Sequence, residues 1–343
     1  MSANRYVGQR VARVEDARLL TGRGTYVDDV TRPGMLHACF VRSPYPRAAI
    51  GAIDTGAALA LDGVHAVFTA ADLNPGVHEQ WYTMLGKAMP TTPLPPLAEG
   101  EARFAGDPVA LVVATSRAVA EDAAELVDVA WEPLPAVVDL ATAATSEARV
   151  HEAYADNVVG RLAFRPPDEE VFAGAAHVAR ETIVQQAYAA VPMECRGIVA
   201  EWSGGELTVW SATQAPHEVR AYLARLLGIP EARVRVIMRD TGGGFGQKVN
   251  VTREEMVVAL AAIRVPGALK WIEDRRENLM AAGQARHEIG EARIAFAADG
   301  TIVAAHLDHL IDAGAYPIPW PVGTGAAAGM LFPGPYRVPA ATF

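Results

Sequence analysis

The chain has 343 residues, 51% of them hydrophobic and 20% charged, with a formal net charge of −10. That is the composition of a globular protein with a sizeable core, and at roughly 150 residues per domain it suggests about two of them. The acidic balance argues against a duplex nucleic-acid partner. The two cysteines, Cys39 and Cys195, make no CxxC or Cys/His cluster, which argues against a zinc or iron–sulfur centre within the chain and favours a reducing compartment.

In chain order, Met1 to Arg5 lacks the apolar core of a signal peptide. Met35 to Val41 reads as a strand, broken by Ser43-Pro44-Tyr45-Pro46. Gly63 to Phe68 reads as a second strand, and Met89 to Pro96 as a Pro-rich loop. Val109 to Ala114 is a continuous apolar run of strand length, the pattern of a buried strand. Thr115-Ser116 offers an N-cap for a helix over 117–127, with Val119, Ala123, Leu126 and Val127 on one face. Val127 to Trp131 then leads into Glu132-Pro133-Leu134-Pro135.

The small, polar stretch Ala141 to Arg149 is the best linker, with a second unit starting near His151. There, Gly205 to Trp210 reads as a strand. A helix follows from Pro216, suited to a first turn, to Leu227, with Gly228 suited to the stop. Val234 to Met238 is another strand. It runs into Gly242-Gly243-Gly244-Phe245-Gly246-Gln247-Lys248, and Thr252 and Glu255 form a capping box for a helix from Arg253 to about Ile263. No apolar run approaches the ~20 residues that span a bilayer; Gly323 to Phe332 is the longest candidate. The expectation is a cytoplasmic protein without a membrane span.

Four glycines in five positions remove Cβ atoms, so that backbone N–H groups can approach a ligand and adopt positive φ. Strand, glycine loop and helix in succession suit an anionic or strongly hydrogen-bonding ligand. The spacing fits neither a P-loop nor a dinucleotide fingerprint. A tight glycine turn without a ligand, or a site for another phosphorylated cofactor, stays open on this pattern alone.

The wider sequence resembles a known family. Ser211-Ala212-Thr213-Gln214-Ala215-Pro216-His217, Leu226-Leu227-Gly228-Ile229-Pro230, Val234-Arg235-Val236-Ile237 and the glycine loop look like the molybdopterin-binding region of the large subunits of xanthine dehydrogenase, aldehyde oxidase and carbon monoxide dehydrogenase. Upstream, Leu19 to Asp29, Arg42-Ser43-Pro44, Gly106-Asp107-Pro108-Val109-Ala110 and Trp131 to Pro135 are similar to that family's opening and its hammerhead domain. Downstream, Asp274-Arg275-Arg276-Glu277-Asn278, Ala285-Arg286-His287 and Asp312-Ala313-Gly314-Ala315-Tyr316 continue the likeness over essentially the whole chain.

The resemblance implies a mixed α/β (α+β) fold, with a hammerhead domain over 1–140 and the first, incomplete part of a molybdopterin-binding domain over 150–343. It implies molybdopterin with molybdenum, in the cytosine dinucleotide form, as cofactor. Its binding residues would be Gln214, through the side-chain NH2, together with Gly243, Gly244, Phe245 and Gly246; Phe245 would also wall the substrate channel. The implied reaction is oxidation of an aldehyde, an N-heterocycle or CO with water as oxygen source. Electrons would pass to a 2Fe-2S small subunit and an FAD-binding medium subunit. The general-base glutamate would lie beyond Phe343, on a chain carrying the rest of the large subunit. The competing reading is a non-catalytic scaffold fragment that binds partner chains without the cofactor.

Val249 stands where purine-oxidising members carry a substrate-contacting glutamate, which disfavours a purine and brings the loop closer to the carbon monoxide dehydrogenase-like branch. Cys195-Arg196 stands where the family often has Pro-Arg, and Cys195 reads as a packed small residue. His217 reads as a solvated or capping first-turn residue. His306, Asp308 and His309 have metal-like spacing, but in a strand over 302–311 the alternation puts His309 on the opposite face from the other two.

Overall fold

The computed structural model describes residues 7–78, 93–317 and 319–343, apart from the side chains of 319–324. The first half of the expected Pro-rich loop, 89–92, lies outside them, as do Met1 to Arg5. A seven-stranded mixed sheet forms the frame. In spatial order its strands are Val234–Ile237, Glu206–Ser211, Gly197–Ser203, Ala268–Ile272, Leu36–Arg42, Pro108–Ala114 and Val64–Thr69. Strands from either side of residues 141–149 meet near its centre, where Leu36–Arg42 runs parallel to Ala268–Ile272 with Leu36 opposite Leu269.

The apolar run Pro108–Ala114 is buried at every position because it is paired along both edges and covered on both faces. Its proline is the first residue, where a missing N–H costs least. Against the sheet lies the helix Arg253–Ala262, all ten residues of which are buried. The helix Pro216–Leu227 buries Val219, Leu223 and Leu226 in the same core as Leu207, Val209, Met256, Leu269 and Trp271. Each such side chain contributes about 1.5–3 kcal/mol of hydrophobic stabilisation as an upper bound.

Element ends follow local chemistry. Gly228 closes its helix at φ +64°, and Thr252 and Glu255 form the reciprocal cap. The helix expected over 117–127 is shorter, Arg117–Glu125, capped by the Ser116 hydroxyl accepting from the Val119 N–H. Leu126 donates back to Ala123, the helix ends, and Leu126 is exposed; the buried face is Ala120 and Ala123 instead.

A second, four-stranded sheet orders Ala340–Thr342, Ile302–Ile311, Glu288–Phe296 and His177–Gln185. Here His306 pairs with Asp308 at 3.1 Å and with the Thr342 hydroxyl at 2.7 Å, while His309 faces Glu288 at 3.2 Å. Each histidine is thus occupied by its own neighbour. No helix among the described residues is long and apolar enough to cross a membrane.

Candidate functional site

The glycine loop follows the edge strand Val234–Ile237 and precedes the buried helix Arg253–Ala262. Gln214 sits in the connection between the neighbouring strand Glu206–Ser211 and its helix, tied to the loop by its own N–H donating to the Lys248 carbonyl at 2.9 Å. Its Oε1 accepts the N–H groups of Gly246 at 3.1 Å and Lys248 at 3.2 Å. Those two donors fix the orientation of the amide, because only its oxygen can accept. The Nε2 donors have no hydrogen-bond partner among the described residues.

Space around the loop explains its composition. A Cβ on Gly244 would lie 2.3 Å from Gln214 Oε1, and one on Gly242 would lie 2.4 Å from Glu194 Cβ. Gly243 and Gly246 have φ of +95° and +87°, where an L side chain is strained. The N–H groups of Gly243, Gly244 and Phe245 have no acceptor among the described residues, although Gly244 is buried. Backbone donors in such a position ordinarily find a partner. Consecutive unclaimed donors, beside an amide with free N–H groups, form a cradle for oxygen-rich or anionic groups of a ligand.

Phe245 adopts φ +52° and is 73% exposed. Val191, Arg286 and His287 also have positive φ, at +46°, +67° and +63°. Their segments adjoin the loop or one another. Gln247 donates to the Gly283 carbonyl at 3.3 Å, and Gln284–Ala285 pairs with Tyr188–Ala189. Left-handed non-glycine residues cost on the order of 1–3 kcal/mol each and gather at functional sites.

Beneath the loop is a buried charge network. Arg196 donates to Glu254 at 3.0 and 3.1 Å and to Glu273 at 2.9 Å, and Arg42 reaches Glu254 and Glu277, each at 3.0 Å. Burial pushes the Glu254 carboxyl up, but Arg196 and Arg42 together overcome it and hold it at about 2. Burial pushes the Glu255 carboxyl up, with the Ser211 hydroxyl donating to it at 2.5 Å. Burial pushes the Lys248 ammonium down against the pull of Glu194. Both thiols are raised by burial, Cys39 to about 12, the opposite of what activates a thiolate. His217 is exposed at its helix start.

At the root of the loop, Asp240 accepts from the Arg18 guanidinium at 2.6 Å and from the Thr25 N–H at 2.8 Å. The Arg18 hydrogen bond first, then that of Thr25, holds the carboxyl at about 2, below its ordinary 3.8. A depressed carboxyl favours the folded tether above the ordinary value and loses that contribution as pH falls through about 2. Hydrogen exchange over residues 18–25 is therefore expected to rise on acidification from pH 4 to pH 2 while the buried sheet stays protected; unchanged exchange would refute the tether.

The residues expected from sequence lie together: Gln214 packs against Gly244 and bonds Gly246, and the Phe245 ring lies against Gly243. Glu194, Arg196 and Asp240 support the loop and were not foreseen, since their partners lie 48 to 222 residues away. A cavity of about 420 Å³ lies elsewhere, between Arg47, Arg103, Val158, Leu310 and Phe343, and touches no loop residue. Its cations are already engaged, Arg47 by Glu101 and Glu152 and Arg103 by the Val150 carbonyl.

Residues 150–343 match the family described as molybdopterin cofactor-binding domain, and residues 21–135 match the aldehyde oxidase and xanthine dehydrogenase a/b hammerhead domain. The chain is 44% identical to the nicotine 6-hydroxylase large subunit of Paenarthrobacter nicotinovorans, over 98% of this chain and 42% of that protein. It is 37% identical to the carbon monoxide dehydrogenase large chain of Afipia carboxidovorans, over 92% and 41%. The crystal structure of quinoline 2-oxidoreductase from Pseudomonas putida 86 superposes with a TM-score of 0.91 at 41% identity, over 98% of this chain and 43% of that one. The chain therefore spans about two-fifths of the length of the relatives it matches.

Proposed function

The chain belongs to the molybdopterin-binding large subunits of the aldehyde oxidase and xanthine dehydrogenase family, and from that premise we propose that it is part of a molybdenum hydroxylase. The observation that carries the proposal is the cradle of unclaimed N–H groups at Gly243, Gly244 and Phe245, beside Gln214 with its oxygen committed and its NH2 free. These residues suit such a cofactor, because the missing Cβ at position 244 lets the Gln214 amide lie against the loop with its oxygen on Gly246 and Lys248 and its NH2 free. When bound, the cofactor supplies two-electron oxidation with water as the oxygen source.

The chain's own residues bind and orient. The three N–H groups and the Gln214 NH2 would hold the cofactor through its oxygens, as donors already in place. The Phe245 ring walls the approach to the reacting centre. The substrate class is a small aldehyde, N-heterocycle or CO. Val249 in place of a glutamate disfavours a purine, and relatives named for nicotine, quinoline and carbon monoxide support that reading.

The partners are an FAD-binding medium subunit and a 2Fe-2S small subunit. The hammerhead unit covers 1–140 and the cofactor-binding part 150–343. Exposed apolar side chains near the loop, Val191, Met193 and Phe245, support burial of this face against the rest of the large subunit. The cytosine dinucleotide form of the cofactor is supported by the likeness to carbon monoxide dehydrogenase.

The test is the molybdenum and pterin content of the protein purified with its native partner chains. The Gln214→Ala variant is expected to lose cofactor about tenfold while its thermal midpoint moves little, as befits an exposed side chain. A wild-type complex without pterin would refute the proposal, and an equal loss of folding in the variant would assign Gln214 a structural role only.

A further inference from the structure

Glu194 is a part of this site that neither the loop motif nor the family likeness assigns. Its Oε2 accepts from the Gly242 N–H at 2.8 Å and from the Lys248 ammonium at 3.0 Å, so one carboxylate oxygen holds both ends of the glycine loop. Its own N–H donates to the Gly242 carbonyl at 3.1 Å, closing a reciprocal pair. Its Oε1 accepts from the Val27 N–H at 3.4 Å. The fit is tight, because any β-carbon at position 242 would strike Glu194. The Lys248 side chain is 1% exposed and that of Glu194 16%, so water screens the pair weakly.

The segment bearing Glu194 is itself fixed on both sides. Arg275 donates to the Pro192 carbonyl, and Arg196 is locked between Glu254 and Glu273. The clasp therefore rests on a rigid base. With Gln214 Oε1 taking the N–H groups of Gly246 and Lys248, both arms of the loop are pinned by side-chain acceptors. The donors left over are those of Gly243, Gly244 and Phe245, between the pins.

We propose that Glu194 is the positioning residue of the cofactor loop. By fixing the distance between residues 242 and 248 it aims the three intervening N–H groups at the cofactor, without touching the cofactor itself. This rests on the molybdopterin reading above and deepens it. A rival, purely structural role is neutralisation of the buried Lys248 charge.

The two roles separate in a pair of variants of the complex purified with its native partner chains. Glu194→Gln leaves Lys248 buried and uncompensated, and is expected to lower both the thermal midpoint and the molybdenum and pterin content. Glu194→Gln combined with Lys248→Met removes both charges and keeps an acceptor for the Gly242 N–H. In it the thermal midpoint is expected to recover while cofactor content stays down about tenfold, the scale of loss seen when a supporting shell is removed. Recovery of both would overturn the proposal, leaving Glu194 as a counter-ion alone. If the double variant does not fold, the single variant purified in the cold decides by the same content: wild-type loading overturns the proposal and a tenfold deficit supports it. Pterin missing from the wild-type complex would instead sink the parent reading, which the wild-type control detects separately.

Discussion

Gly242→Ala is expected to destabilise the protein by about 3 kcal/mol, the upper range for overpacking a filled site, and to cut cofactor content to roughly a tenth. The reason is steric, since residue 242 is not among those with positive φ. An alanine Cβ would lie 2.4 Å from Glu194 Cβ, 3.1 Å from its backbone N and 3.3 Å from its Cα. None of these atoms can swing aside as the end of a long side chain can. The backbone at 194 must shift, which breaks the reciprocal pair between Glu194 and Gly242 and the bond from the Gly242 N–H to the carboxylate. Gly246→Ala is the comparison. Nothing lies within 4 Å of a Cβ there, and the penalty comes from φ +87° alone, on the order of 1–2 kcal/mol. Thermal unfolding with metal analysis checks both, and equal stability of the Gly242→Ala protein and the wild type would refute the packing argument.

Arg196→Met is expected to cost about 3–5 kcal/mol, because removing one member of a buried ion network leaves the others uncompensated. Glu273 loses both bonds from the Arg196 guanidinium, and Glu254 keeps Arg42 as its ion-pair partner. At roughly 2 °C per kcal/mol for a chain of this size, the midpoint falls on the order of 6–10 °C. The pH dependence fixes the sign. In the wild type Glu254 titrates at about 2, below its ordinary 4.5, so its favourable contribution is full above 4.5 and disappears as pH falls through about 2. The variant lacks the Arg196 part of that contribution. The gap between the two proteins is therefore constant above about pH 4.5 and narrows on further acidification toward pH 2, which scanning calorimetry from pH 7 down to pH 2 measures. A gap that widens toward acid would rule out the charge explanation.

Local chemistry made much of this legible from sequence. The helix Pro216–Leu227 has both ends in its own residues, a proline where an N–H is unneeded and a glycine that takes φ +64°. The cap on the helix from Arg253 needs only Thr252 and Glu255, three residues apart. The glycine loop by itself leaves a plain turn and a ligand cradle equally open, and Gln214 gains its proposed role only through the family resemblance. The helix from Arg117 was drawn two residues too long, because periodicity alone does not say where a strand takes over, and Leu126 turned out exposed. Glu194 and Arg196 were silent because their meaning lies in partners 48 to 167 residues away. Only tertiary packing creates those pairs, and the fully buried helix Arg253–Ala262 carries Glu254 beneath the loop.

The parallel pairing of Leu36–Arg42 with Ala268–Ile272 has a consequence for biosynthesis. A ribosome that has released the first of these strands must add more than 200 residues before the second emerges, roughly ten to fifty seconds of translation. Through that interval the nascent chain holds an unpaired apolar edge, a template for mispairing with neighbouring chains. Such long-range closure also slows folding relative to a chain of local contacts. Productive yield of this protein should therefore depend on holdase chaperones at the ribosome exit more than on the stability of the finished fold.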